Sequence, residues 1–327
     1  MVLPCSMYKS RILNPTYQMN LSEIKYVYLL GIGGIGMSAL ARYFHAQGKI
    51  VSGYDKNPTP LTDAMISEGI SVHFEDDINF FKLQTTNYKL QTLIIYTPAI
   101  PQDHNEFNYF KEHNFTLKKR SDVLGMITKE SFTVAVAGTH GKTTTTALIA
   151  HILKYSGIDC TAFVGGIMTN YNTNILIGNN TPSPLERVGV RSIIIVEADE
   201  YDRSFLTLHP DIAVITSMDA DHLDIYKEKK NMEESFNLFA KQVKKNGTLI
   251  HKKNLPLEKI QPETIDYSVK EEANYAARNI RIKNENFVFL KKHRLIKHSS
   301  RQNHYDFAIF LPPIFPLEPN LLFQSNR

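Results

Sequence analysis

The stretch AVAGTHGKTTTTALIAHIL, Ala135 to Leu153, limits the possible folds most. A short apolar run meets a tight glycine turn and then residues with helical spacing, a strand–turn–helix order found in covered α/β sheets. The turn Gly138-Thr139-His140-Gly141-Lys142-Thr143-Thr144 offers backbone N–H groups and a helix N-terminus to phosphate. Lys142 can reach β- and γ-phosphates and the Thr143 hydroxyl can ligate Mg²⁺, so the turn reads as an ATP site. Val136 stands where a strict G-x-x-x-x-G-K-[ST] loop has its first glycine, so this turn is shorter than that motif.

A second glycine turn lies about a hundred residues earlier. Gly31-Ile32-Gly33-Gly34-Ile35-Gly36 follows the strand-like IKYVYLL and precedes the helix-like MSALARYFHAQG. Its glycines permit close approach of a diphosphate to the helix start, and Asp55, ending the next strand-like segment, can accept ribose hydroxyls. Glycines also serve plain strand–helix packing, and taken alone the turn leaves a nicotinamide dinucleotide open. The strand, the helix and Asp55 together favour diphosphate binding by Gly31, Gly33, Gly34, Ile35 and Gly36.

Segments of both types alternate from Ile24 to Ile250, which predicts two successive units with mostly parallel sheets, ligands collecting beyond the carboxyl ends of the strands. Acidic clusters fall at two such ends: Glu197, Asp199, Glu200 and Asp202, then Asp219, Asp221, His222 and Asp224. Oxygen-rich groups beside a phosphate loop suit Mg²⁺. Glu197 and His222 are expected near the metal with Thr143, the other carboxylates being solvated or structural. His45, His73, His104, His113 and His209 carry no usable spacing and read as surface histidines. NIRIKNENFVFLKK alternates and turns like a hairpin, after which periodicity is lost.

Composition excludes several classes. The chain has 327 residues, 43% hydrophobic and 21% charged, with a net charge of +4, too mild to suggest nucleic acid as the main partner. No apolar run approaches a membrane span, so no membrane insertion is expected. Its two cysteines, Cys5 and Cys160, have no ligand spacing and fit a reducing cytoplasm.

Four stretches in order, GIGGIGMSALA, AVAGTHGKTTTTALIAHIL, VEADEYDRSFLTLHPDIAVIT and DADHLDIY, resemble the Mur ligases of peptidoglycan synthesis, over about Ile24 to Lys291. The resemblance implies a Rossmann-like N-terminal domain holding a UDP-sugar at Gly31–Gly36, a P-loop-type central ATPase domain, and a C-terminal Rossmann-like domain. It also implies an ATP-dependent acid–amino-acid ligase: ATP phosphorylates the carboxylate of UDP-N-acetylmuramate, and the amine of L-alanine attacks the acyl phosphate. Lys142, Glu197 and His222 are then the catalytic residues. GIGGIGMSALA favours the alanine-adding branch over the branch that reattaches recycled tripeptide. Ser217 stands where the family pattern leads one to expect asparagine, a change on the metal side.

The expected division is residues 1–20 as a disordered extension, with Met19 as an alternative start, 21–127 as the UDP-sugar domain and 128–293 as the ATP domain. Residues 294–327 read as an aberrant or disordered tail in place of the third domain, so the chain alone is expected not to complete the ligation. The rival readings are a non-catalytic nucleotide-binding remnant and a dehydrogenase using the first glycine turn. The second leaves GTHGKTT without a purpose.

Overall fold

The computed structural model describes residues 20–82, 89–178, 192–219, 229–260, 262–283 and 286–293. The expected extension at 1–20, apart from its last residue, and the expected tail at 294–327 lie outside them. Two compact units are present, Met1–His251 with Leu255–Thr264 and Lys252–Asn254 with Ile265–Arg327.

The first unit contains two sheets. β1 (Tyr26–Leu30), β2 (Ile50–Tyr54), β3 (Ser71–His73), β4 (Thr92–Tyr96) and β5 (Thr116–Lys119) form a parallel sheet in the order β3-β2-β1-β4-β5. Every residue of β1 is buried, as its continuous apolar run requires of a strand covered on both faces. Helices α1 (Ile35–Ala46), α2 (Pro60–Ser67), α3 (Asn79–Lys82) and α4 (Asn105–Glu112) connect these strands. Thr59 and Thr62 close a reciprocal cap at the start of α2, with Pro60 at its first position.

Helix α5 (Arg120–Glu130) then leads through Ser131 alone into β6 (Phe132–Ala137), the centre of the second sheet. Helix α6 (Lys142–Tyr155) follows, then β7 (Thr161–Met168), β8 (Thr173–Leu176), β9 (Ile193–Glu197), β10 (Ile212–Ile215), α7 (Lys229–Lys241) and β11 (Thr248–Lys252). Within this unit the strand order is β11-β10-β6-β9-β7-β8, parallel except for the antiparallel β7–β8 pair. β1 and β6 each have their sequence neighbours on one side and later strands on the other. Both glycine turns therefore follow the strand at which the winding reverses, where open α/β sheets form their crevice.

A buried polar staple joins the two sheets. The Asn174 side chain, on β8, donates to Ile35 O and to Ser38 Oγ (3.0 Å) and accepts from Arg42 Nη1 (3.0 Å). Arg42 Nε in turn pairs with Glu68 at 2.7 Å. Ser38 and Asn174 are fully buried, so each group needs the others to replace water.

In the second unit, β12 (Glu263–Ser268) pairs parallel with β13 (Tyr275–Lys283), which turns back antiparallel into β14 (Asn286–His293). This is the hairpin expected from NIRIKNENFVFLKK. Among the described residues no helix is long and apolar enough to cross a membrane. Burial pushes the Cys160 thiol up to about 12, so it packs as a small apolar side chain.

Candidate functional site

The second glycine turn is braced from the neighbouring strand end. Gly138 has φ +135°, and a Cβ there would lie 2.1 Å from Thr216 Oγ1, so only glycine fits. Gly141, at φ +81°, opens α6 without a side-chain cap. Ser217 Oγ accepts from His140 N–H at 2.8 Å and bonds Thr139 Oγ1 at 2.9 Å. Thr139 Oγ1 accepts from Asp219 N–H at 3.1 Å, and Thr216 Oγ1 donates to His140 O. Ser217, expected to change the metal side, is thus a clamp on the turn itself. The His140 ring is exposed, 3.9 Å from Asp219, and Thr144 is exposed on the first turn of α6.

Lys142 Nζ donates to Gly138 O and to Glu200 Oε1, each at 2.8 Å. Glu200 is 1% exposed. The sequence reading placed it among solvated or structural carboxylates; it is the buried counter-charge of the lysine. Thr143 Oγ1 donates to Glu197 Oε1 at 2.8 Å, while Glu197 Oε2 accepts from Gly165 N–H at 2.7 Å. A Cβ on Gly165 would sit 2.7 Å from that carboxylate, so β7 approaches Glu197 as bare backbone. The hydroxyl of Thr143 and the carboxylate of Glu197 are hard oxygens meeting at the phosphate turn, a donor pair that fits Mg²⁺. His222, with Asp221 and Asp224, lies outside the described residues, as does the side chain of Asp202.

The first glycine turn is held differently. The N–H groups of Gly31 and Ile32 donate to Tyr54 O at 2.8 and 3.0 Å, and Gly33 N–H donates to Asp55 Oδ2 at 2.7 Å. Gly34 starts α1 without a side-chain cap. Arg120 lies across this turn: a Cβ on Gly36 would be 2.7 Å from its Nη1. Its Nη2 is 3.8 Å from Asp199 Oδ2. Gly31, Gly33, Gly34, Ile35, Gly36 and Asp55 line a cleft of about 1040 Å³, together with Arg120, Gly165, Glu197 and Asp199. Residues of both sheets thus share one cavity, and Glu197 serves both its wall and the Thr143 turn.

Two histidines beside or behind the cleft were misplaced by the sequence reading. His104, expected at the surface, is 5% exposed and lines the cleft; the His73 side chain is 9% exposed. The cause is a network closed only in three dimensions. Glu106 accepts from Tyr28 Oη at 2.6 Å and bonds His73 Nε2 at 2.7 Å. Asp76 accepts from the N–H groups of Asn105 (2.8 Å) and Glu106 (3.0 Å), anchoring the start of α4. Burial first, then the Glu106 carboxylate, pushes the Tyr28 phenol far above its ordinary range and keeps it a donor. Arg120 had no sequence signal beyond the pair Lys119-Arg120, and Gly165 none at all.

Two family models match in tandem: "Mur ligase family, catalytic domain" over residues 26–132 and "Mur ligase middle domain" over residues 136–313. The chain belongs to the Mur ligase family. It is 54% identical over 272 residues to the UDP-N-acetylmuramate–L-alanine ligase of Flavobacterium johnsoniae, covering 83% of this chain and 56% of that protein. With the same-named protein of Cytophaga hutchinsonii it shares 47% over 277 residues, covering 84% of this chain and 58% of that one. The chain thus spans little more than half the length of these curated relatives. Among solved structures, UDP-N-acetylmuramate-alanine ligase from Thermotoga maritima is similar at TM-score 0.66 and 23% identity, over 82% of this chain and 58% of that chain. The UDP-N-acetylmuramate:L-alanyl-gamma-D-glutamyl-meso-diaminopimelate ligase from Neisseria meningitides is similar at TM-score 0.70 and 20% identity, over 83% and 84% of the two chains. These two likenesses establish the Mur ligase fold of this chain, its α/β architecture and its parallel sheets.

Proposed function

We propose that this Mur ligase chain holds UDP-N-acetylmuramate and ATP in the one cleft for ATP-dependent ligation of L-alanine, in the cytoplasm, at the first amino-acid addition of peptidoglycan synthesis. Residues 21–127 take the UDP-sugar and 128–293 take ATP. The observation that carries the reading is the position of Glu197: it lines the cleft that begins at Gly31–Gly36, and its carboxylate touches Thr143 of the phosphate turn.

In this reading the diphosphate rests on the Gly31–Gly36 turn and the start of α1, where backbone N–H groups and Arg120 neutralise it. That leaves the muramate carboxylate to extend toward Glu197. ATP lies along Gly138–Thr144, and Lys142 exchanges Glu200 for phosphate oxygens. Thr143 and Glu197 would hold Mg²⁺, with His222 assigned to the same metal side; the ion, when bound, supplies charge neutralisation of phosphoryl oxygens. A carboxylate oxygen attacks the γ-phosphorus, ADP leaves, and an acyl phosphate forms. The alanine amine then adds to the acyl carbon, and the tetrahedral intermediate expels inorganic phosphate and gives up a proton. The chain's own residues act by placement and charge, the two contributions phosphoryl transfer needs most.

Calorimetric titration of the 327-residue chain with UDP-N-acetylmuramate, Mg·ATP and NAD tests this directly. Binding of the first two and not of NAD is expected. Preferential NAD binding overturns the reading. ADP and UDP-N-acetylmuramoyl-L-alanine formation on adding L-alanine measures whether the reaction runs to product.

A further inference from the structure

A second cavity lies at the other end of α1. Residues from Ile35 to Leu40 wall the cleft described above, whereas Arg42, His45 and Ala46 wall a separate groove of about 410 Å³; the two cavities share no lining residue. Three basic side chains line the groove, Arg42, His45 and Lys154, against one carboxylate, Glu68. The Arg42 side chain is only 9% exposed, and a buried cation is costly unless it is paired and hydrogen-bonded. Among the described residues it bonds through Nε to Glu68 at 2.7 Å and through Nη1 to Asn174 at 3.0 Å. Nη2 has no such partner, and it is not one of the side-chain atoms closed off from solvent. The Glu68 side chain is 42% exposed, so water weakens the one counter-charge. Lys154 Nζ is held 4.8 Å from the centre of the Tyr171 ring, and Tyr171 Oη in turn bonds His151 Nδ1 at 2.8 Å. The His45 ring has no hydrogen-bond partner among the described residues.

We propose that this groove binds a small phosphate monoester, its phosphate against Arg42, His45 and Lys154 and its organic part against Tyr171 and Ile177. Three donor side chains suit a group with three terminal oxygens, where a carboxylate has two. The two permanent cations match the charge of about −1.5 to −2 that such a phosphate carries near neutral pH, through charge-assisted bonds. Ile177, on the same groove, is an apolar side chain left 37% exposed, which an organic group would cover. Arg42 also belongs to the staple between the two sheets, so an occupant bears on that joint and touches none of the groups assigned to the nucleotides. The ligand of the groove is therefore independent of what the cleft holds.

The decisive measurement reads the groove itself. The imidazole proton resonances of His45, assigned by their loss in His45→Gln, are followed while phenyl phosphate or phenol is added to the full chain at constant pH. Phenyl phosphate should shift the His45 signal to saturation. Its affinity should be roughly 5- to 25-fold weaker in Lys154→Glu: up to about 5-fold for an exposed ion pair lost, and as much again for a like charge introduced. Lys154 is exposed, so the melting temperature of that variant should match wild type. Phenol, which has the ring without the charge, should leave the signal in place at equal concentration. Lys142→Ala, which removes the cation of the phosphate turn, should leave the His45 shift unaltered and so separate groove from cleft. An absent His45 shift at millimolar phenyl phosphate overturns the proposal, as does an affinity unchanged in Lys154→Glu or a shift that disappears in Lys142→Ala. An equal response to phenol marks an apolar crevice with no anion site and overturns it too.

Discussion

The two glycine turns have the same local plan, a central strand, a left-handed glycine and a helix, yet they are built for different loads. Gly31, at φ +83°, comes at the beginning of its turn, and the loop contributes no charged side chain of its own. The cation lying against it, Arg120, comes from α5, much later in the chain. Gly141, at φ +81°, comes at the end of its turn and is followed at once by Lys142 and Thr143. The first turn suits an anion that must be held and left intact. The second brings a cation and a hydroxyl, Lys142 and Thr143, to the start of its helix, where the function proposed above places the transferring phosphoryl group. Glycine spacing alone says nothing of this difference; the residues at the helix start decide it.

The sharpest way to break the contrast is at Gly138. Gly138→Ala forces a Cβ to 2.1 Å from Thr216 Oγ1 at a positive φ. A cost of about 3 kcal/mol is expected, the upper end for backbone strain, with a melting temperature lower by roughly 6–12 °C and ATP binding lost. An unchanged melting curve would show that the turn is looser than drawn.

Lys142→Ala comes next. Removing a charge-assisted contact should weaken ATP binding to this chain by roughly 10- to 150-fold while leaving UDP binding intact. The partner Glu200 is buried, so Glu200→Gln should be tested alongside; if both variants bind ATP like wild type, the lysine is not the phosphate cation. Glu197→Gln should raise the Mg²⁺ concentration needed for ATP binding by at least ~10-fold, since even outer-shell partners of a metal contribute that much. Unchanged metal dependence would leave Glu197 as the Gly165 acceptor only.

The smallest effect is expected at the first turn. Gly33→Ala places a Cβ 2.8 Å from Asp55 Oδ2 and 2.9 Å from Thr62 Cγ2, a crowding the side chains can partly relieve. UDP affinity should fall about 3- to 10-fold, a cost near 1 kcal/mol, with ATP affinity unaltered. A matching fall for ATP would mean the two turns do not act separately.

Much of this arrangement was legible in the amino-acid order. Strands such as YVYLL and the IIIV before Glu197 are unbroken apolar runs, and both glycine turns stand between a strand and a helix. What escaped was written in less local terms. Helix α5 starts with three polar residues, Arg120, Ser121 and Asp122, that mimic a loop, and it runs through the expected division at 127/128. β7 contains Gly165 and Gly166, which erase its alternation, yet it is Gly165 that admits the Glu197 carboxylate. His104 read as a surface residue, and Glu200 as one of several solvated or structural carboxylates, because their burial depends on partners elsewhere in the chain, Asp76 and Lys142. The four glycine- and acid-rich motifs carried the family resemblance without reference to any of these contacts.

The staple at Asn174 bears on any attempt to exchange halves between relatives. Ser38 and Arg42 belong to the helix that begins the first glycine turn; Asn174 belongs to a strand more than a hundred residues later. A chimera cut at Ser131 inherits the two sides from different parents. If the second parent supplies an apolar residue at 174, Arg42 Nη1 loses its buried acceptor and keeps only the Nε contact to Glu68, Ser38 loses the amide donor, and the hybrid begins life with a deficit unrelated to either glycine turn. These three positions are therefore heritable only as a set, and a library of shuffled Mur ligases should recover viable members in which they travel together.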